Sequence, residues 1–233
     1  MIGRETLDDP RAPPAAVRRT LGDIARLNAL FGGTRAVMDA LAPFFQRACN
    51  VRRGTCDAPW TLLDVGAGSG DIARAAAAAA RGHGLTLRPV AVELSRPAAR
   101  EAQGRGLAVI LADGGALPVR PRSVDVIVAS QVLHHQPREV AVRWMASFDR
   151  IARRAVVLAD LRRSRVAMVG VWLASLPLGM AATTRHDAVI SLRRGYTKRE
   201  FDEMLREAGV TAVARYRPGF RIVAAWSPGG TAQ

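Results

Sequence analysis

Between Leu62 and Asp71 the chain reads Leu-Leu-Asp-Val-Gly-Ala-Gly-Ser-Gly-Asp, and no other segment limits the fold as tightly. An apolar run ends at Val65, glycines follow at every second position (Gly66, Gly68, Gly70), and Asp71 stands where a helix can start. Alternate glycines let a chain turn sharply and let a ligand come close to the main chain. The first N–H groups of the following helix are unpaired and sit at the positive end of its dipole, so such a turn can hold a carboxylate or a phosphate. The spacing separates two kinds of site. A dinucleotide fingerprint needs G-x-G-x-x-G. Here the pattern is G-x-G-x-G, and Asp71 occupies the place of the third dinucleotide glycine.

Around this turn, strand-like and helix-like segments alternate. The pattern predicts strands over 61–65, 85–92, 108–111, 124–129 and 155–159, and helices over 71–81, 97–103 and 138–151, with Ser95 as a cap. That alternation argues for an α/β fold, a mostly parallel sheet with helices on both faces. Ligands on such sheets lie beyond the carboxyl ends of the strands, which places the chemistry just after Val65, Val92, Leu111 and Ala129. Upstream, residues 17–48 carry a helical apolar face through Leu21, Ile24 and Leu27, broken at Gly32-Gly33, with Thr34 as a cap for a second helix reaching Phe45. After Asp160 the alternation stops and residues 161–192 form an insertion. A helix from Lys198 to Ala208, capped by Thr197, and strands near 210–216 and 220–226 complete a seven-stranded sheet. The link Arg217-Pro218-Gly219 is short enough for a hairpin, which makes the last strand antiparallel to its neighbour.

Charge narrows the function less than it first suggests. The chain has 34 basic and 20 acidic residues, a formal +14, and Lys198 is its one lysine. Such an excess can serve nucleic acid, an anionic membrane or an acidic substrate, but the arginines are scattered and form no tract, which reads as a dispersed solvated surface. Cys49 and Cys56 could make one bridge; they form neither a disulfide framework nor a metal-ligand set, so a reducing, cytoplasmic location and no metal are expected. Asp8, Asp9 and Pro10 stand where a secretory signal would need an apolar core. Residues 1–16, with Pro10, Pro13 and Pro14, are expected to be a poorly ordered tail ahead of one domain spanning 17–233: a helical arm over 17–48, a cofactor-binding core over 60–160, a lid over 161–192, and a closing helix and hairpin over 193–233.

The run Asp64–Gly70 resembles the first motif of S-adenosylmethionine-dependent methyltransferases with the Rossmann-like, class I fold. Three matches follow in the family's order: Glu93 after the second strand, Asp113-Gly114 after the third, and Ser123–Ser130 along the fourth. The resemblance is specific over 62–133 and looser over 27–35 and 191–209. It implies S-adenosyl-L-methionine as cofactor, with Asp64, Gly66, Ala67, Gly68 and Gly70 at its aminoacyl end. Glu93, beside Leu94, would accept two bonds from the ribose hydroxyls. Asp113 and Gly114 would meet the adenine, and Ser130 and Gln131 would lie beside the methionine. Asp125 is read as structural. Plainer readings remain for each: a capping acid at Glu93, an ordinary Asp-Gly turn, packed histidines at His134-His135. In the family a histidine often borders the acceptor pocket, and an imidazole can take a proton from a phenol or enol as the methyl transfers; of the pair, His135 is favoured over His134.

The segment Leu27–Arg35 resembles the approach segment of ubiquinone/menaquinone-type and related small-molecule methyltransferases, which implies cofactor or acceptor contacts from Phe31 and Arg35. The apolar stretch 166–182, interrupted by Pro177, falls short of the ~20 residues that span a bilayer. It reads as a lid helix pair that lines a hydrophobic pocket with Trp172 and Leu176, as core or dimer surface, or as a surface resting on a membrane with Arg162, Arg163 and Arg165 at the headgroups. His186 and Asp187 could supply or orient a base from the lid side, or lie in a polar loop. The resulting expectation is methyl transfer to an apolar or aromatic small molecule, a quinone precursor or polyketide-like phenol, at oxygen rather than carbon. Peripheral membrane contact and either a monomer or a homodimer stay open. The alternatives are an RNA methyltransferase and a non-catalytic cofactor-binding protein. Against the first, Ala129-Ser130-Gln131-Val132 stands where a base-methylating enzyme would carry an acidic or amide residue, two prolines and an aromatic.

Overall fold

The strand that leads into the glycine turn, β1 (Trp60–Val65), lies at the centre of the sheet because apolar side chains alternate between both of its faces. Trp60 and Leu62 face one core, Leu63 and Val65 the other. In this computed structural model, residues 5–9, 11–50 and 58–229 are described. Cys56, and the side chain of Cys49, lie outside the described residues.

Among the described residues, seven strands form one sheet. They are β1, β2 (Leu87–Glu93), β3 (Ala108–Leu111), β4 (Val124–Ser130), β5 (Ala152–Leu161), β6 (Arg215–Arg217) and β7 (Arg221–Trp226), in the order β3-β2-β1-β4-β5-β7-β6. The first five pair in parallel; β7 runs antiparallel to both β5 and β6. The order reverses direction at β1, and Val65, Glu93 and Ser130 end adjacent strands at one edge, the place where open α/β sheets form a crevice.

Among the described residues, eight α-helices surround the sheet: α1 (Pro14–Leu30), α2 (Gly33–Asn50), α3 (Asp71–Gly82), α4 (Arg96–Gly104), α5 (Arg138–Ile151), α6 (Arg165–Ser175), α7 (Ala182–Arg194) and α8 (Lys198–Glu207). The alanine run of α3 suits it to close packing: Ala73, Ala76 and Ala80 recur at helical spacing and reach the sheet together with Val37, Leu41 and Phe45 of α2. The opposite face is closed by Met145 and Phe148 of α5 and Phe201 and Met204 of α8. Ser95 caps α4 and Thr197 forms a capping box with Glu200, as the sequence predicts.

Several expected boundaries move. Thr34 lies inside the first turn of α2 instead of capping it. β5 is extended at both ends because Ala152 still finds Val124 and Leu161 still finds Arg221 as partners. β6 is confined to three residues; Val210 and Ala214, expected in that strand, are buried beneath α8 with no ladder. The expected poorly ordered tail is corrected over its described part. Thr6–Asp8 forms a 3₁₀ turn and α1 starts at Pro14, with Leu7, Ala12 and Val17 packed against Ala98 of α4.

Candidate functional site

Gly66, Gly68 and Gly70 all hold positive φ (70°, 56° and 73°), a region that costs any other residue. The space is closed as well: a Cβ on Gly66 would stand 2.6 Å from Val132 Cγ2, and one on Gly70 2.1 Å from Leu107 Cδ1. Asp64, at the end of β1, accepts a hydrogen bond from the Ala73 N–H (3.1 Å) and so satisfies a donor in the first turn of α3. Burial, with Asp71 and Glu93 nearby, pushes the Asp64 carboxyl up to about 8. Glu93, at the tip of β2, folds onto the same turn and accepts the Gly68 N–H. Burial raises its carboxyl above the usual range despite further bonds from the Ser95 and Leu94 N–H groups. A buried carboxylate and a bare peptide turn therefore share one end of a cavity of about 850 Å³.

The other strand tips border the same cavity. Asp113 follows β3, accepts the Gly115 N–H (2.7 Å) and lines the cavity beside Gly114, whose missing side chain leaves room for the Trp144 ring. Leu94, largely exposed, lies at the rim. At the end of β4, Gln131 takes φ 56°, an uncommon conformation for a residue with a side chain. Its side-chain amide donates to Asn28 Oδ1 and accepts from Arg221 Nη1 (2.9 Å). Arg221 is buried at the start of β7 and reaches Asn28 Oδ1 as well; burial, opposed by the charge of Asp160, brings its guanidinium down to about 10.

Beyond Gln131 stand the two histidines, with ring centroids 4.2 Å apart. His134 is buried; its Nδ1 lies 2.7 Å from Asp160 Oδ1, and Asp160 also accepts the Leu133 and His134 N–H groups. His135 places Nδ1 2.7 Å from Asp8 Oδ1. Burial lowers the His135 pKa, but the Asp8 bond and the charges of Glu5, Asp8 and Asp160 win and raise it. Burial works the other way on Asp8 and Asp160, and their histidine partners override it and hold both carboxyls low. Arg194 of α7 joins Glu5 Oε1 (3.1 Å) and Asp8 Oδ2 (2.8 Å), Ser191 donates to Glu5 Oε2 (2.7 Å), and Thr6 N–H donates to Asp187 (3.0 Å). The N-terminal segment is thus stitched across the cavity to α7.

Four expected pocket residues are not there. Arg35 is turned outward, 85% exposed in its side chain, beside Asp39. His186 is exposed. Trp172 and Leu176 are about half exposed and face away from the cavity. The reason is helical phase. Ala167, Gly170 and Val171 put one face of α6 on the cavity, and residues five and nine positions after Ala167 point about 140° and 180° away from it. The 161–192 segment lines the cavity through those three and Thr184, Asp187, Ala188 and Ser191 of α7; Phe31 lines it as well.

Sequence reasoning missed Asn28, Arg221, Asp160, Glu5, Asp8 and Arg194. Asp160 had a signal, since it stands near the carboxyl end of β5 as Glu93 does on β2. Glu5, Asp8 and Arg194 had none, because their meeting with His134-His135 exists only once the fold is formed. The sequence has no metal-ligand spacing, yet the fold gathers Glu5, His134 and His135 within 4.8 Å.

Residues 62–155 match the family described as "Methyltransferase domain", which takes in the glycine turn, Glu93, Asp113, Gln131 and both histidines. An "Uncharacterized methyltransferase" of Mycobacterium ulcerans (strain Agy99) is 41% identical over 86 residues, 37% of this chain and 33% of that protein, so the match spans about a third of the relative's length. Solved structures share the fold, among them the following two. Human N-acetylserotonin methyltransferase in complex with SAM aligns with a TM-score of 0.62 at 10% identity, over 94% of this chain and 57% of the other. Magnesium protoporphyrin IX methyltransferase from Synechocystis PCC 6803 with bound SAH aligns at 0.53 and 15% identity, over 83% and 82%. The fold is the Rossmann-like, class I methyltransferase fold.

Proposed function

We propose that this chain, which carries a methyltransferase domain over residues 62–155, transfers the methyl group of S-adenosylmethionine to an oxygen of an apolar or aromatic small molecule. One observation carries the reading. A single cavity joins the glycine turn and Glu93 at one end to His134, His135 and the lid at the other. The cofactor's amino-acid end fits the Gly66–Gly70 turn, its ribose the Glu93 carboxylate, its adenine Asp113 and Gly114, and its methionine Ser130 and Gln131. The sulfonium then points toward the histidines.

Transfer is a direct displacement. The acceptor oxygen forms a bond to the methyl carbon, the carbon–sulfur bond breaks, and S-adenosylhomocysteine leaves with the sulfur's electron pair. Most of the rate comes from holding the two partners in line, and a dry pocket makes the cationic donor more reactive. His135, oriented by Asp8, takes the acceptor's proton. Leu21, Leu27, Phe31 and Val171 in the lining favour an apolar acceptor such as a quinone precursor or polyketide-like phenol. The two structural neighbours bear the names of small-molecule methyltransferases.

The +14 charge favours a nucleic acid, but the described cavity lining includes a single arginine, Arg221, already engaged by Gln131 and Asn28. Calorimetry with S-adenosylhomocysteine should give micromolar or tighter binding, lost in Gly68→Val, and methyl transfer should follow on a phenolic panel. A folded protein with no detectable binding would reject the reading. Binding without turnover on any phenol would point to a cofactor-binding protein without catalysis. Turnover on bulk RNA, with steep salt dependence, would point to the nucleic-acid alternative.

A further inference from the structure

His134 presents an unexplained atom. Its Nε2 is buried with no hydrogen-bond partner among the described residues, although Nδ1 of the same ring is held by Asp160. A proton on Nδ1, donated to a carboxylate, leaves a lone pair on Nε2, and that lone pair faces Glu5 Oε1 at 4.0 Å. His135 repeats the pattern: Asp8 holds Nδ1, and Nε2 faces Glu5 Oε2 at 3.8 Å. These gaps are too long for hydrogen bonds. They fall within the ~4.2 Å that two bonds of ~2.0–2.2 Å can span through one ion. A carboxylate on the far nitrogen of each ligating histidine is the arrangement that fixes the tautomer and strengthens the ligand.

We infer that Glu5, His134 and His135 form a binding site for one first-row divalent transition-metal ion, held by the two Nε2 atoms and a Glu5 carboxylate oxygen. Two imidazoles and one carboxylate suit zinc or iron(II) better than magnesium or calcium. The surrounding charge agrees. Glu5, Asp8 and Asp160 outnumber Arg194 and Arg221 by one, and the imidazoles are neutral when they ligate. Three protein ligands leave a position open, and all three residues line the cavity. Resting on the methyl-transfer reading, that position takes the acceptor's oxygen. In the metal-bound form His135 would be a ligand, and coordination would ease loss of the hydroxyl's proton in place of that imidazole acting as base.

The test is metal retention by the full chain. Equilibrium dialysis against micromolar Zn2+, followed by elemental analysis, should find about one ion per chain, and Co2+ should give a visible d–d spectrum. Glu5→Gln and His134→Ala should each weaken retention at least ~10-fold and abolish the cobalt spectrum. S-adenosylhomocysteine binding at the glycine turn serves as the fold control in every variant. A wild-type chain that retains no metal overturns the inference, as does a folded Glu5→Gln chain that binds metal like the parent. Metal retained without S-adenosylhomocysteine binding would instead sink the methyl-transfer reading and leave the metal site standing.

Discussion

Replacing Glu93 with Gln separates ligand binding from folding at one atom. Glu93 is nine-tenths buried at the tip of β2 and already accepts the Gly68 N–H, so in the proposed role it would meet a ribose without further desolvation. Glutamine keeps the length and one carbonyl oxygen for Gly68, but turns the other acceptor into an N–H₂ donor. One hydrogen bond to a charged acceptor is lost, worth about 1.5–3 kcal/mol. Affinity for S-adenosylhomocysteine should fall about 10- to 150-fold. Stability should move the other way or stay put. Burial raises the Glu93 carboxyl, so the fold disfavours its charge, and a neutral amide relieves that cost. Titration calorimetry and thermal melts on one preparation read both effects. A Gln variant that binds within about twofold of the parent would refute the assignment, as would loss of binding together with a large drop in melting temperature.

Other expectations follow from the same geometry. Gly66→Ala should cost about 2–4 kcal/mol in denaturant melts, from positive φ and the 2.6 Å approach to Val132; a cost below about 1 kcal/mol would show that the turn relaxes easily. Asp160→Asn, which removes a buried charge facing His134 and Arg221, should cost about 3–5 kcal/mol, and a near-neutral change would refute the network as drawn. Asp64 titrates near 8 folded against 3.8 as its ordinary value, so the folded chain binds the extra proton. Its contribution to stability is full below about pH 4 and is lost as pH rises through about 8, so the ligand-free melting temperature should fall over that window and Asp64→Asn should flatten the fall. A flat wild-type profile would refute it.

The central sheet was legible because its signals are local. Alternating apolar strands, glycines at 66, 68 and 70, and caps at Ser95 and Thr197 each act within a few residues, and the structure keeps them nearly in place. Glu93 and Asp113 were legible by position, since strand tips converge in any sheet of this order. The segment 161–192 was legible as a helix pair, but its facing was not. Residues 166–182 are apolar all round, so periodicity could not say that Gly170 turns inward and Trp172 outward. Least legible was the acid–histidine cluster: Glu5 and Asp8 lie in a proline-rich stretch with the composition of a tail, and their pairing with Arg194 and His135 joins residues far apart in sequence.

Arg221 has one more consequence. Its guanidinium clasps Gln131 and Asn28, partners 90 and 193 positions away in sequence, at the place where α1 crosses the tip of β4. The hairpin of β6 and β7 therefore does more than finish the sheet. Loosening it would slacken the first helix over the cavity while most of the parallel strands stayed paired, so damage remote from the glycine turn would silence the protein well before it unfolded.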